Sequence, residues 1–256
     1  MAVKFMDINL VDVDATYTLT SADTDGASVL YDNNRNTKLT SVGSDDVTPE
    51  VWIIEFAAST TIDRIHIDNH NIKAGDIKYW NGSSYADFST AISYSSERDP
   101  SHYHEFNSVS TTKVRITMNT AQTVDAEKYV GQFRCFVEIG EVATNPSEID
   151  FEFKDAKFLH QTGTGRTVNV TFAIDNYSAE LFFSDASDAD ITIFRTLKNR
   201  TNIFYIFPGG GDTTYTQEGF RIRDIFPVTV VNDFKPRLKG NLLGIGTVYA
   251  MEVRRA

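Results

Sequence analysis

The fold is decided by the stretch Val51-Trp52-Ile53-Ile54-Glu55-Phe56, which continues through Ser59-Thr60-Thr61 into Ile62-Asp63-Arg64-Ile65-His66-Ile67-Asp68. The first run is rich in β-branched and aromatic residues, Ser-Thr-Thr favours a turn, and the second run alternates between apolar and polar residues. In a strand, this alternation places Ile65 and Ile67 on one face and His66 on the other. The stretch therefore predicts two consecutive strands.

Further strand patterns follow at regular spacing in the first half of the chain. Ile77-Lys78-Tyr79-Trp80 ends at Asn81-Gly82, which is the strongest short signal for a β-hairpin. The segments 114–118 and 135–139 alternate in the same way as the stretch after Thr61. Short strands separated by turn residues predict a β-sandwich.

A linker is predicted at Ala143-Thr144-Asn145-Pro146-Ser147, because proline has no N–H to donate to a sheet and its neighbours favour turns. We therefore expect two domains, over residues 1–145 and 146–256. The second contains strand-like runs at Ile149-Asp150-Phe151-Glu152-Phe153, Thr167-Val168-Asn169-Val170-Thr171-Phe172, Ala179-Glu180-Leu181-Phe182-Phe183 and Asn202-Ile203-Phe204-Tyr205-Ile206-Phe207.

One helix is predicted near 188–198. Ser187 or Asp188 can cap its first turn, and Ile191, Phe194 and Leu197 fall on one face. The expected fold class is mainly β. An N-terminal β-sandwich jelly roll precedes a smaller β-rich domain, either a barrel or an open sheet, with this one helix.

The formal net charge of −11 is unevenly distributed along the 256 residues. Up to Asp150 there are 11 Lys and Arg against 23 Asp and Glu, whereas the remainder has 13 against 12. An acidic surface repels phosphate backbones, so no nucleic-acid partner is expected for the first half. The near-neutral second half suits burial against protein neighbours, although ordinary solvated surfaces explain both halves equally well.

Cys135 is the single cysteine, which excludes a disulfide within the chain and a zinc site that needs two of its thiolates. Its strand-like surroundings predict a small buried hydrophobe. The first seven residues lack the apolar core of a signal peptide, and no segment approaches the length of a membrane span. We therefore expect synthesis in a cytoplasm and no membrane insertion.

The order of motifs over roughly residues 28–143 resembles the discoidin-like, or galactose-binding-like, jelly-roll family. Asp32-Asn33-Asn34-Arg35-Asn36-Thr37 resembles the family's Asp-Gly-Asn-x-x-Thr loop, and Trp52–Phe56 with Thr61–Ile65 resembles its W-x-x-x-D-L and T-I-D-R-I pair of strands. Segments around Val114 and Val137 match its last two strands. Asn33 and Leu39 depart from the usual Gly and Trp, and the flanking disulfide of extracellular members is absent.

A second resemblance, to bacteriophage tail and other virion proteins, suggests a biological context. It rests on Met1–Phe5, Asp68–Lys73, Ile77–Gly82, Glu218–Phe226 and Val230–Phe234, in this order along the chain. The resemblance implies a structural component of a tail or baseplate, located in the virion and assembled in the host cytoplasm. Its partners would be other tail proteins and copies of itself in a symmetric assembly.

The resemblance to the jelly-roll family also implies a structural calcium ion near Asp32 and Asn34, because jelly rolls of this type often hold one there. Hard cations take oxygen ligands from Asp, Asn and backbone carbonyls. Alternatively, the two side chains shape a turn through hydrogen bonds to the backbone. Together with Arg35, they form one candidate ligand-binding site.

Trp80 and Tyr85 form the second candidate ligand-binding site, because they flank the Asn81-Gly82 turn. Aromatic side chains at loop tips can stack on sugars or anchor a protein interface, and alternate residues of the strand can instead point into the core. The alternative function is thus a carbohydrate-binding module that recognises host glycans.

No catalytic residues are predicted, and we expect that the protein is not an enzyme. No Gly-x-Ser-x-Gly motif occurs, and the glycine-rich Pro208-Gly209-Gly210-Gly211 lacks a following Gly-Lys-Ser/Thr. Among the five histidines, His66 and His70 bracket a strand end that also carries Asp68, and His102 and His104 fall on one face of another strand. This spacing alone is weak support for a metal site.

Overall fold

The computed structural model describes residues 3–12, 14–21, 24–34, 36–43, 45–142, 148–161, 167–183, 187–198, 204–208, 216–217, 220–221, 226–230, 237–239, 242–244 and 246–252. Within these residues the chain consists mainly of antiparallel strands, with one α helix and one 3₁₀ helix. Two compact units are distinguished. The sandwich unit is formed by Met6–Ile139, and the second unit by Met1–Phe5 and Gly140–Arg254.

Ten strands lie in the first part of the chain. They are Val3–Met6 (β1), Thr16–Leu19 (β2), Leu39–Thr40 (β3), Glu50–His70 (β4), Ile72–Trp80 (β5), Tyr85–Ala86 (β6), Ile92–Tyr94 (β7), Ser101–Ala121 (β8), Tyr129–Phe136 (β9) and Glu138–Val142 (β10). The 3₁₀ helix spans Thr24–Tyr31. The sandwich unit is built from β2 to β9 in the order β3-β9-β4-β8-β5-β6, with β2 paired to β4 and β7 to β5.

The long strands β4 and β8 take part in both layers of the sandwich. The first part of β4 pairs with β2, and its last part, from Arg64 to His70, pairs with β9. Between these parts the β4–β8 register shifts twice, after Glu55 and after Ile62. Such irregularities bend a strand, so the chain turns between layers without leaving the ladder. The predicted turn at Ser59-Thr60-Thr61 is therefore wrong, since β4 is continuous.

The core of the sandwich unit lies between the two layers. Trp52, Ile65 and Ile67 are fully buried, and the shared face of Ile65 and Ile67 is the one that the alternation of the sequence predicts. They belong to a larger cluster that also includes Leu30, Ile54, Ile62, Ile72, Ile77, Val114, Ile116, Met118, Val130, Phe133 and Cys135. The mainly β class and the jelly-roll sandwich are thus confirmed.

The second unit contains an open sheet and the α helix. Its remaining elements are Glu148–Gln161 (β11), Thr167–Phe183 (β12), Asp188–Lys198 (α1), Phe204–Pro208 (β13), Thr216–Gln217 (β14), Phe220–Arg221 (β15), Phe226–Val230 (β16), Arg237–Lys239 (β17), Leu242–Gly244 (β18) and Gly246–Glu252 (β19). The large sheet has the order β10-β1-β13-β16-β19-β12-β11, while β14–β15 and β17–β18 form two-stranded sheets. The strand-like runs on either side of Asn176 are one strand, β12.

The helix lies over the predicted range, with Ile191, Phe194 and Leu197 buried. Ser187 is its N-cap. The Ser187 hydroxyl accepts a hydrogen bond from the Asp190 N–H at 3.2 Å, and Asp190 Oδ2 accepts one from the Ser187 N–H at 2.9 Å. Phe194 packs edge-on against Phe5, with ring centroids 5.8 Å apart.

The chain divides between Ile139 and Gly140, and its first strand belongs to the sheet of the second unit. The predicted linker, residues 143–147, and the glycine-rich residues 209–211 lie outside the described residues.

Candidate functional site

Trp80 and Tyr85 lie opposite each other across the β5–β6 hairpin. Its turn is closed by Asn81, whose Oδ1 accepts hydrogen bonds from the N–H groups of Ser83 at 3.0 Å and Ser84 at 2.9 Å. Gly82 has a φ of 99°, a conformation that glycine adopts without the strain of a Cβ. The Asn-Gly pair thus produces the hairpin for the reason that the sequence indicates.

The two aromatic rings form an edge-to-face pair, with centroids 5.2 Å apart and an interplanar angle of 66°. The Arg115 guanidinium lies over the Tyr85 ring, 4.5 Å from its centroid. Both aromatic side chains are partly exposed. Tyr79, which precedes Trp80 on β5, packs instead against Phe88 because successive side chains of a strand point to opposite sides.

Charged side chains surround this aromatic pair. Lys78 pairs with Asp87 at 3.1 Å, Lys113 with Glu55 at 3.0 Å, and Arg115 approaches Asp76 at 3.9 Å. We call the eight residues the aromatic face; they are Trp80, Tyr85, Asp76, Lys78, Asp87, Lys113, Arg115 and Glu55. Its three cations balance its three carboxylates, so the face carries no net formal charge.

Strand register brings the aromatic face together. Lys78 of β5 pairs with Arg115 of β8, and Lys113 of β8 pairs with Glu55 of β4. The alternation around Val114 already indicates that Arg115 points away from the core. However, its position beside Tyr85 depends on pairing between distant segments, which local sequence does not specify.

Tyr85 keeps its proton at neutral pH. Burial raises the pKa of its phenol, and the positive charges of Lys113 and Arg115 only partly oppose this effect. The hydroxyl therefore remains available as a hydrogen-bond donor and acceptor.

Asp32 and Asn34 shape a tight loop rather than joining the aromatic face. Asp32 Oδ1 accepts a hydrogen bond from the Asn34 N–H at 2.7 Å, and Asp32 Oδ2 accepts one from the Thr37 hydroxyl at 2.8 Å. Asn34 Oδ1 in turn accepts one from the Asn36 N–H at 3.1 Å. The loop contacts β9 through Gln132, in the opposite layer from the β5–β6 hairpin. Arg35 lies outside the described residues.

The four histidines of the sandwich unit form two groups: His66 lies beside Ser101, and His70, His102 and His104 lie close together. Asn69 has a φ of 54°, which interrupts the alternation of β4 and turns His70 towards His102, with ring centroids 5.1 Å apart. His104 stacks near His102 at 6.0 Å, and its Nε2 lies 2.9 Å from the Tyr94 hydroxyl. Among the described residues, no group of three or more His, Cys, Asp or Glu side chains could hold a metal ion.

Burial keeps His70 and His104 neutral. It lowers the pKa of His70 to about 3 and that of His104 to about 4, with the neighbouring His102 adding to both effects. Neutral imidazoles packed on a tyrosine are a stable core arrangement as long as the pH stays well above these values.

His66 and Ser101 form a pair that superficially resembles a nucleophile and its base. His66 Nε2 lies 3.3 Å from Ser101 Oγ, and its Nδ1 lies 2.9 Å from Arg134 Nη1. Because a guanidinium can only donate, Nδ1 must carry the lone pair and Nε2 the proton. His66 therefore donates to Ser101 and cannot accept its proton. Both side chains are buried, which excludes this pair as a catalytic dyad.

Cys135 is fully buried, as its strand-like surroundings predict. Burial raises the pKa of its thiol, so it remains protonated and unreactive. In the part of the chain that the structure describes, no helix is long and apolar enough to cross a membrane.

No family model and no curated protein matches the chain. Solved structures with a partial likeness include chitosan-binding module 1 from the chitosanase/glucanase of Paenibacillus sp. IK-5, which is 18% identical with a TM-score of 0.43. Module 2 of the same enzyme, in complex with chitotriose, is 19% identical with a TM-score of 0.42. CpGH89CBM32-5 from Clostridium perfringens, in complex with GalNAc-β-1,3-galactose, is 16% identical with a TM-score of 0.42. Each matches about half of this chain, 50–51%, over 100% of its own length.

Proposed function

We propose that the sandwich unit is a non-catalytic carbohydrate-binding module that recognises glycans through the aromatic face. The observation that carries this proposal is the partly exposed Trp80–Tyr85 pair with Arg115 stacked on Tyr85. An edge-to-face pair offers apolar ring surface next to the polar indole N–H and phenol, a combination that suits the C–H groups and hydroxyls of a sugar.

The charge balance of the aromatic face favours uncharged sugars. Each of its cations has a carboxylate partner, so an anionic ligand would have to displace one of these ion pairs. Sugar hydroxyls can instead accept hydrogen bonds from Lys78 and Lys113 and donate to the carboxylates. Binding to neutral sugars should therefore depend little on ionic strength.

The absence of catalysis is also part of the proposal. In the sandwich unit, His66 is unable to act as a base towards Ser101, and the Cys135 thiol is buried. A glycosidase typically uses two carboxyl groups that flank the scissile bond. Each carboxylate of the aromatic face lies instead beside a cation of that face, Asp87 by Lys78, Glu55 by Lys113 and Asp76 by Arg115.

A glycan array covering neutral, amino and anionic sugars tests the proposal directly. We expect the purified chain to retain neutral glycans with little change between low and physiological salt. Incubation with the same glycans should release no reducing ends. An array without any bound glycan, or retention confined to anionic glycans and abolished by salt, would contradict the proposal.

The expected role in a phage tail or baseplate, with its virion location and its assembly partners, stays a prediction. The structures with partial likeness named above are carbohydrate-binding modules and give no indication of a phage origin. Light scattering on the full chain addresses the assembly part, since a symmetric ring would have a multiple of the 28.7 kDa mass of one chain.

A further inference from the structure

We call residues 32–37 the Asp32 loop. Two oxygen atoms of this loop and one of the preceding 3₁₀ helix converge on one nitrogen atom. Gln132 Nε2 lies 2.7 Å from the Val29 carbonyl oxygen, 2.6 Å from Asp32 Oδ1 and 3.2 Å from the Asn34 carbonyl oxygen. The Gln132 side chain is fully buried. A carboxylate and two carbonyls directed at one point are the kind of oxygen set that surrounds a hard cation.

The orientation of the Gln132 amide is fixed by its other end. Its Oε1 accepts hydrogen bonds from the Asn33 N–H at 3.0 Å and from Arg134 Nη2 at 3.4 Å. If the amide were turned over, its NH₂ group would face these two donors and its oxygen would face three acceptors. The hydrogen-bond network therefore places the NH₂ group among the three oxygens.

This arrangement does not fit the calcium ion that the family resemblance implies. Calcium takes six to eight oxygen ligands, whereas here the point on which the oxygens converge is taken by a nitrogen that carries two protons. Other donors also satisfy this oxygen set. The second carboxylate oxygen, Asp32 Oδ2, accepts from the Thr37 hydroxyl, and the Asn34 carbonyl accepts from the Thr37 N–H at 3.2 Å.

We infer that the Gln132 amide stands at a cation position and makes the Asp32 loop independent of calcium. The two N–H groups of the amide hold the nearest oxygens, Val29 O and Asp32 Oδ1, so the loop is closed by protein atoms alone. An amide is neutral, and it leaves the charge of Asp32 without the double positive charge that calcium would supply.

Wild-type protein gives the first test. We expect elemental analysis of the purified full chain to find far less than one calcium per chain. Its Tm should be the same in EDTA and in millimolar calcium, and calorimetric titration with calcium chloride should show no binding. One calcium per chain, or a Tm that falls in EDTA and recovers with calcium, would overturn the inference.

A Gln132→Glu variant gives the second test, because it replaces the NH₂ group by an oxygen. The new carboxylate faces Asp32 and two carbonyls, so we expect a Tm lower by about 5 °C or more in EDTA. Calcium should bind with one-to-one stoichiometry and restore most of that loss. The matched control is Gln122→Glu, since the Gln122 amide contacts only two carbonyl oxygens, both at 3.4 Å.

The control should gain no calcium binding. If Gln132→Glu also binds no calcium, or does not fold even in its presence, the converging oxygens are not a cation position and the inference fails. Neither result bears on glycan binding, because the aromatic face lies in the other layer of the sandwich unit.

Discussion

At the scale of single residues, buried polar side chains decide how the loops of the sandwich unit are held. Lys128 is fully buried, and its ammonium donates hydrogen bonds to the carbonyl oxygens of Asp45 at 2.6 Å and Thr48 at 2.5 Å. Burial lowers the pKa of Lys128, and the buried carboxylate of Glu50 partly opposes this effect. The ammonium thus links the segment before β4 to the segment before β9.

Lys128→Met should therefore destabilise the protein strongly. The substitution removes two charge-assisted hydrogen bonds and leaves Glu50 without its nearby cation, so we expect a loss of about 3 kcal/mol in the free energy of unfolding. Urea unfolding measures the loss. Lys113→Met, which breaks the partly exposed pair with Glu55, should cost less than about 1 kcal/mol; equal losses for the two variants would contradict this interpretation.

The buried histidines predict a loss of stability in acid. The folded-state pKa values of His70, about 3, and His104, about 4, lie below the unfolded value of 6.5. The unfolded chain therefore binds protons first as the pH falls. For His104 the stabilisation is complete above pH 6.5 and is lost between about pH 6.5 and 4, by an amount on the order of 3 kcal/mol. For His70 the loss extends down to about pH 3.

His104→Phe isolates this effect from that of the carboxylates. The variant loses the contact with the Tyr94 hydroxyl, which gives a constant offset in stability at all pH values. Its unfolding free energy should fall less steeply than that of the wild type between pH 6.5 and 4. Parallel curves for the two proteins would show that His104 does not titrate in this range on unfolding.

At the scale of secondary-structure elements, close approach between strands explains where glycine is required. Gly75 of β5 lies against β8, and a Cβ at this position would lie 2.0 Å from the Thr117 carbonyl oxygen. Register shifts next to Gly75 bring the two backbones together there. Gly82, in contrast, has open space around it and a positive φ.

The same substitution at the two glycines should thus have different costs. Gly75→Ala forces β5 away from β8, and we expect a loss of at least about 3 kcal/mol. Gly82→Ala strains only the backbone of the exposed turn, at a cost of about 1–2 kcal/mol. Thermal and urea unfolding measure both; a Gly75→Ala variant as stable as Gly82→Ala would refute the close approach of the strands.

Helix α1 permits a similar comparison at its first turn. Ser187→Ala removes the hydroxyl that accepts from the Asp190 N–H and contacts Asp190 Oδ2, whereas the bond from the Ser187 N–H remains. The variant should destabilise the second unit by about 1 kcal/mol. Thr196→Ala, on the exposed side, removes only a bond to the Thr192 carbonyl and should be close to neutral. Helical content by circular dichroism and unfolding free energy report both, and equal effects would exclude Ser187 as the cap.

Local sequence patterns predicted the secondary-structure elements much better than they predicted which elements lie next to each other. The helix range, the shared face of Ile65 and Ile67 and the Asn81-Gly82 hairpin follow from periodicity and turn chemistry. The continuity of β4 through Ser59-Thr60-Thr61 was not predicted, because polar residues that favour a turn are also tolerated where a strand bends. Likewise, the left-handed conformation of Asn69, which turns His70 inwards, leaves no pattern in the sequence.

At the scale of the whole molecule, only part of the aromatic face was predicted from the sequence. Trp80 and Tyr85 were found because they flank a recognisable turn. Arg115, Lys113 and Glu55 were missed, since strand pairing across tens of residues brings them together. The same holds for Gln132, which closes the Asp32 loop from about 100 positions away in sequence. Local motifs therefore located parts of both sites but not their partners.

Whether the aromatic face binds glycans can be measured by isothermal titration calorimetry with a glycan retained on the array. Wild type, Trp80→Ala and Tyr129→Ala are compared. Tyr129 is the control, because like Tyr85 of the aromatic face it is a partly buried tyrosine with a cation near its ring, Lys38 at 4.2 Å from the centroid, but it lies on β9. We expect Trp80→Ala to raise Kd at least about tenfold and Tyr129→Ala to leave Kd unchanged. Equal affinity of all three proteins, or a wild type that binds no glycan at millimolar concentration, would contradict this expectation.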